Sequence, residues 1–276
     1  SIYEPDSGDV AASWWIIDTQ TRAVIKHREF TDRYLSFPLR LALSKETEGF
    51  AYIGNGNRIS SFSINTLELD RDSIAVLPDS LGVIYASSYS EGALILSCRK
   101  SFDASGYITG VDIKDGELTQ IIPTLINPQQ TLELTNSTNK FILLVLNEGS
   151  YGSTNSTLQV FDDTKTLIPT NIPLGDGGNH IFYQGNGHDS VFVTVNGSHK
   201  VVLVDLNKKE IVKSIPTLTT GYNGPRESAV IGDKLFVTTY NSDVREFDIA
   251  TGALVATLNS KGKPEGLTVI NGKLWV

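Results

Sequence analysis

One cysteine in 276 residues excludes an internal disulfide framework and any cysteine-based metal site. That residue, Cys98, sits in the apolar run ALILSC and is read as a small buried apolar side chain. Long hydrophobic runs are also missing. The densest, Phe141–Leu146, is strand-sized and far from the roughly 18 apolar residues a membrane span needs. Positive charge is in deficit: the net charge is −8 and the isoelectric point is near 5.0, which disfavours nucleic acid and anionic membrane surfaces as partners. There is no methionine, and the chain starts at Ser1, which reads as a processed or trimmed product whose signal peptide or lipid-anchor cysteine is gone. The four histidines, His27, His180, His188 and His199, show no H-E-x-x-H or comparable ligand spacing. No G-x-S-x-G is present, and no Ser/His/Asp set is nominated by spacing, so the chain reads as non-enzymatic.

What the chain has is repetition. Pro225–Val237 (PRESAVIGDKLFV) and Pro264–Val276 (PEGLTVINGKLWV) align without a gap at an offset of 39 residues. Each is an apolar run, a two-residue turn signal (Gly232-Asp233 or Asn271-Gly272), then Lys and a second apolar run. Asn-Gly between alternating runs is the strongest local hairpin signal, because a type I′ turn needs positive φ at both central residues. Two further runs, Val244–Asp248 and Ala253–Leu258, lie between the copies. Four short strands with tight turns per repeat predict an all-β fold, a β-propeller of four-stranded antiparallel blades.

In chain order, full sets of four strands are expected within 38–74, 82–122, 130–172, 180–215 and 225–258. Ala12–Asp18 and Ala23–Phe30 stand alone at the start, and Pro264–Val276 supplies two strands at the end. These halves are expected to complete one shared sheet, since an unpaired edge would otherwise be exposed. Six blades are then visible in a single domain, 1–276. The pattern breaks off within a strand at Val276, so a seventh blade of about 40–45 residues has room between the two ends.

Several patterns carry chemistry, or look as if they do. Asp18, Asp112, Asp162, Asp205 and Asp248 each follow a third-strand run, and are read as turn openers accepting local backbone N–H groups. GNGNR at Gly54–Arg58 joins two strands and is read as a hairpin turn, not a phosphate cradle. The sequons at Asn136, Asn155 and Asn196 are read as exposed loops. In a propeller, the loops entering first strands share one face with those joining second and third strands. That face is expected to hold Asn147, Glu148 and Tyr151 (NEGSY), Asp176 and His180 (GDGGNH), and Tyr222, Arg226 and Glu227 (GYNGPRE), with Tyr240, Asn241 and Glu265. Tyr and Arg on short rigid loops suit a small-ligand site. An Arg226–Glu227–Glu265 ion-pair cluster of purely structural role is the competing reading. No metal or cofactor is expected.

Ile142–Asp162 (ILLVLNEGSYGSTNSTLQVFD), with GDGGNHIFYQGNGHDSVFVTVNGSHKVVLVDLNKKEIVKSI, GPRESAVIGDKLFVTTYNSDVREFDIATG and PEGLTVINGKLWV after it, resembles the YncE-like surface propellers of Bacteroidetes. The likeness is strong over the second half and weaker over SWWIIDTQTRAVIKH onward. The segment resembling a first blade lies mid-chain, which implies either circular permutation or two pieces of a longer chain joined across a gap. The resemblance implies seven blades, export, and a lipid anchor at the outer membrane surface. It also implies, through the BtuG-type branch, capture of cobalamin for a TonB-dependent transporter, with no nucleic-acid partner. A lactonase-like hydrolase on a propeller scaffold and a protein-interaction platform are the alternatives.

Overall fold

A computed structural model describes residues 12–30, 41–44, 49–66, 68–90, 92–162, 168–185, 188–218 and 222–276. Among them there is no α-helix; a single 3-10 turn at Asp79–Leu81 interrupts an all-β chain. The strands are β1 (Ala12–Ile17) and β2 (Val24–Phe30); β3 (Leu41–Leu43), β4 (Phe50–Asn55), β5 (Arg58–Ser63) and β6 (Leu69–Val76); β7 (Val83–Ser90), β8 (Ala93–Arg99), β9 (Ser105–Asp112) and β10 (Leu118–Ile126). They continue with β11 (Pro128–Thr135), β12 (Phe141–Asn147), β13 (Ser156–Phe161) and β14 (Thr170–Gly175); β15 (Gly178–Tyr183), β16 (Ser190–Val195), β17 (Lys200–Asp205) and β18 (Glu210–Pro216). The last are β19 (Pro225–Ile231), β20 (Lys234–Thr239), β21 (Asp243–Asp248) and β22 (Leu254–Asn259), then β23 (Thr268–Ile270) and β24 (Lys273–Trp275).

Five of these groups form four-stranded antiparallel meanders, each strand hydrogen-bonded to its neighbour in sequence. They coincide with the five sets read from the repeats. The start of the first set, 38–40, lies outside the described residues. β1 and β2 form a two-stranded sheet within the compact unit that holds Ser1–Lys100, and β23 and β24 form one within the unit that holds Thr124–Val276. With three residues in each of β23 and β24, an edge there offers only a bond or two of ladder.

The hairpin chemistry follows the turn residues. Ile270 pairs with Lys273 across Asn271-Gly272, both at positive φ (52° and 69°), as a type I′ turn requires. Across Gly232-Asp233, Gly232 alone has positive φ, the pattern of a II′ turn. Asn55 pairs with Arg58 across the Gly56-Asn57 turn, so GNGNR is a hairpin.

The chain packs as two compact units, one made of Ser1–Lys100 with Gly106–Pro123, the other of Ser101–Ser105 with Thr124–Val276. In the first, β7 packs on β3 and β4, over a core of Ile59, Leu77, Leu94, Leu96 and Val111. Cys98 belongs to that core, and burial pushes its thiol pKa up to about 12, so it stays an inert thiol at neutral pH. In the second unit, β11 packs on β15, β15 on β19 and β19 on β23, so the first strands of successive sheets are neighbours. Their shared core runs through Leu144, Leu146, Leu158, Val193 and Val204. A smaller core of Phe192, Val201, Leu235 and Phe247 joins the next pair of sheets. Burial falls from inner to outer strands: β16 is nearly all buried, whereas β22 has no buried residue.

First strands carry a repeated irregularity. Against β16, Gly178 pairs with Val195 and His180 with Thr194, leaving Asn179 unpaired in a bulge. Gln129 in β11, Arg226 with Glu227 in β19, and Tyr85 in β7 occupy the same kind of position. A bulge re-aims the extra side chain out of the alternating pattern.

Four of the five aspartates open turns, as expected from their residue type. Asp18 Oδ1 accepts the Gln20 and Thr21 N–H groups, Asp112 Oδ1 that of Lys114, and Asp205 Oδ1 those of Asn207 and Lys208. Asp162 instead binds Lys140 and Lys209 at 2.7 and 2.8 Å, and the turn after it lies outside the described residues. Asp248 accepts from the Thr251 hydroxyl and N–H, and pairs with Lys234 at 3.0 Å, which together hold its carboxyl well below the usual range. A depressed carboxyl contributes stability above the ordinary value near 3.8 and loses it as pH falls further. Asp248→Asn is therefore expected to melt below the wild type at pH 7, with the gap closing as pH drops below about 4. Melting curves at pH 7, 4 and 2.5 check this; a gap at pH 2.5 as wide as at pH 7 contradicts it.

Candidate functional site

In the second unit, loops at one end of three successive sheets border a pocket of about 570 Å³. The link from β12 to β13 contributes Glu148 to Gly152. The link from β14 to β15 gives Asp176 and Gly177, and that from β16 to β17 gives Asn196, Gly197 and His199. Tyr222 enters just before β19, Arg226 from the β19 bulge, and Tyr240 from the β20–β21 turn. The two loop classes expected to share a face thus meet at one pocket.

The aromatic side is held from behind. Tyr222 donates its hydroxyl hydrogen to Asn196 Oδ1 at 2.8 Å, while Asn196 Nδ2 donates to the Pro225 carbonyl at 3.1 Å. The Tyr222 and Tyr240 rings lie nearly parallel, 21° apart with centroids at 6.4 Å, and His199 meets Tyr222 edge-on at 4.7 Å. His199 reaches that place from a left-handed backbone, φ 50°. Burial, followed by the electrostatic influence of Tyr240 and Tyr151, pushes the Tyr222 hydroxyl pKa up, so it remains a donor throughout the neutral range. Tyr222 is 52% exposed and Tyr151 is 99% exposed, so both present ring surface to solvent.

Gly224 makes the ring arrangement possible. It has φ 39°, and a Cβ there would stand 2.5 Å from Tyr240 Cδ2 and 3.0 Å from Tyr222 Cε1. Gly224→Ala is expected to push the two rings apart in addition to straining the backbone. The near-ultraviolet tyrosine circular dichroism should change while the far-ultraviolet signal of the sheets is kept; an unchanged tyrosine signal counts against this account.

Arg226 is held on three sides. Its Nε pairs with Glu265 Oε2 at 2.7 Å, its Nη1 donates to Asn179 Oδ1 at 2.7 Å, and its guanidinium lies 4.8 Å from the Tyr240 ring centroid. Its carbonyl accepts from Asn179 Nδ2 and the Thr194 hydroxyl, each at 2.7 Å. Two neighbouring bulge residues, Asn179 and Arg226, therefore lock each other. The equivalence of the residues after Pro225 and Pro264 appears as the Arg226–Glu265 pair.

Of the residues expected at the site, Glu148, Tyr151, Tyr222, Arg226, Tyr240 and Asp176 line the pocket. Four do not. Asn147 is fully buried at the end of β12, its Nδ2 donating to Gln159 Oε1 at 3.0 Å, because it faces inward where Glu148 leaves the strand. His180 is buried within β15, where its Nδ1 accepts the Ser228 N–H at 3.4 Å. Glu227 turns from the bulge to accept the Leu267 N–H at 3.0 Å. Glu265 stands behind Arg226 as its counter-ion, outside the lining. Asn241 donates its N–H to the Thr239 hydroxyl and is not a lining residue.

Residue reading missed Asn179, Asn196 and His199. Asn179 follows Gly178 as Arg226 follows Pro225, a parallel visible in GNH and PRE. Asn196 occupies the second-to-third-strand loop that singled out Tyr240. The sequon reading needs revision too. Asn136 is buried, its Oδ1 accepting the Thr138 and Lys140 N–H groups, and Asn196 is committed to Tyr222 and Pro225.

Among the described residues, no group of three or more His, Cys, Asp or Glu is placed to hold a metal. The pocket's chemistry is ring faces, two carboxylates and an arginine already in partnership. Comparison of the chain with protein-family models and with curated proteins gives no match.

Proposed function

We propose that the chain is a β-propeller, its four-stranded sheets serving as blades, and that it captures a small ligand without chemical change on the loop face of the second unit. The neighbouring first strands and the inner-to-outer fall in burial support the propeller reading. The observation that carries the binding role is the pocket itself, with Tyr151, Tyr222 and Tyr240 brought from different loops to one cavity. Rigid aromatic platforms supply contact area at low entropic cost, and here Asn196, Gly224 and Arg226 hold the platform in place.

The family resemblance makes a corrinoid the first ligand to test, since its flat body and amide-rich rim match ring faces flanked by carboxylates. The same resemblance is the ground for proposing a lipid-anchored protein of a bacterial outer membrane surface that passes its ligand to a TonB-dependent transporter. Cyanocobalamin binding should be measured by calorimetry for the wild type and Tyr222→Ala. Loss of the ring is expected to weaken binding by about 1–4 kcal/mol, roughly 5- to 1000-fold, without changing the melting temperature by more than a few degrees. No wild-type binding sinks the corrinoid assignment; tight binding indifferent to Tyr222→Ala moves the site elsewhere.

A further inference from the structure

The pocket's charged groups differ in whether they are already spoken for. Arg226 is committed to Glu265, Asn179 and the Tyr240 ring. Glu148 accepts from Asn127 Nδ2 at 2.7 Å. Asp176 is the exception. Its backbone is pinned, the N–H donating to Ser198 Oγ at 2.8 Å and the carbonyl accepting the Ser198 N–H at 3.1 Å. Its carboxylate has no hydrogen bond and no ion pair among the described residues, and lies over Gly197 where a Cβ would come within 2.5 Å of it.

Several donors at the pocket are already used. The Tyr222 hydroxyl hydrogen goes to Asn196, the Ser150 N–H to Asn155 Oδ1, and the Gly149 and Asn196 N–H groups to the Ile126 and Gly177 carbonyls. What remains open to a ligand is the Asp176 carboxylate and the negative faces of the tyrosine rings, with the Tyr151 hydroxyl, the unpartnered His199 Nδ1 and the remaining Arg226 N–H groups beside them. The carboxylate and the ring faces favour N–H donors and positive charge, and an incoming carboxylate would meet Asp176 with Arg226, the arginine lining the pocket, already paired to Glu265.

We propose that this pocket selects ligands that carry N–H donors on a flat body, a protonated amine first and a primary amide second, and that Asp176 beside the Tyr222 ring is the residue that sets this preference. The inference rests on the ligand-binding role given above and names the chemistry of that same site. It covers a corrinoid's primary amides and extends to smaller cationic ligands. Asp176 also adds to the influences that keep the Tyr222 hydroxyl protonated, behind burial and the neighbouring tyrosines.

Three probes of one size separate the possibilities: benzylamine, benzamide and benzoate, titrated at pH 7 into the full chain and followed by NMR of ¹³C-labelled tyrosine. Benzylammonium is expected to bind about tenfold tighter than benzoate (about 1.4 kcal/mol), with benzamide between them. Asp176→Asn should bring the three within about twofold of each other. Asp176→Ser, which also removes the charge, should do the same and guards against a folding defect in one variant. Tyr222→Ala should weaken all three probes together, leaving their order unchanged. Benzoate binding as tightly as benzylammonium, or a preference that survives both Asp176 variants, overturns the inference while leaving the binding site intact. If none of the three binds a folded wild type, the binding role falls with it.

Discussion

Replacing Arg245 with methionine is expected to cost about 3–5 kcal/mol of stability, the largest single-residue effect we foresee in the second unit. Arg245 and Asp243 stand two residues apart on β21, facing the same way, with side chains only 7% and 8% exposed. Their closest ion-pair contact is 3.2 Å, and Arg245 Nε lies 3.3 Å from both carboxylate oxygens. Asp243 also accepts from the Thr239 hydroxyl, and Arg245 Nη1 donates to the Thr217 carbonyl, which receives the Asn223 side chain as well. Methionine fills much of the arginine stem's space but leaves the Asp243 carboxylate buried without its cation. Urea unfolding of Arg245→Met should show the loss, and Arg245→Met with Asp243→Leu should recover a large part of it, since an apolar pair has no charge to strand. A single-variant loss under about 1 kcal/mol would mean that solvent reaches the pair. The effect should also reach the pocket. Thr217 and Asn223 flank the loop that carries Tyr222, and the Asn223 carbonyl accepts the Tyr240 N–H at 2.9 Å. Weaker ligand binding in folded Arg245→Met is therefore expected.

Leu146→Ala should destabilise by about 2–5 kcal/mol through a different route, the opening of a cavity. Leu146 is fully buried in the core that joins the β11–β14 and β15–β18 sheets, and it sits opposite Leu158. Its Cδ1 occupies the space next to Gly178, where an added Cβ would lie 2.8 Å away. That closeness limits how far the site can collapse, because Gly178 is fixed through its N–H to Ser156 Oγ at 2.9 Å. Chemical denaturation compared with Val193→Ala in the same core would scale the effect: the larger truncation should cost more. Equal losses would indicate that the core relaxes around Leu146.

The elements that could be read from the chain are those fixed by short-range rules. Asn271-Gly272 dictates its turn because few residues tolerate positive φ twice in succession. Short β-branched apolar runs such as SVFVTV and KVVLVD mark strands, the first of them buried on both faces. The shared loop face followed from strand count alone, and it brought Glu148, Tyr151, Tyr222, Arg226 and Tyr240 to one pocket. Asn147 and His180 were placed wrongly for a reason internal to strands. Adjacent side chains point to opposite faces, so an error of one residue exchanges pocket for core. Asn196 was hidden by its sequon, and His199 by a left-handed turn that its residue type does not announce.

The first-strand bulges separate two kinds of selection that usually act on the same residue. A side chain in a regular ladder answers to its cross-strand partners, its face of the sheet and its layer of the core. Asn179 and the Arg226–Glu227 pair lie where the pairing skips, so the residues on either side keep their partners whatever stands between them. Drift at these positions can alter the loop face while the ladder pairing on either side is kept, although the ties between neighbouring sheets made by Asn179, Arg226 and Glu227 would have to be replaced. In a directed-evolution library, positions 179 and 226 should be varied together, since each holds the other, and Asp176 varied independently as the selectivity dial.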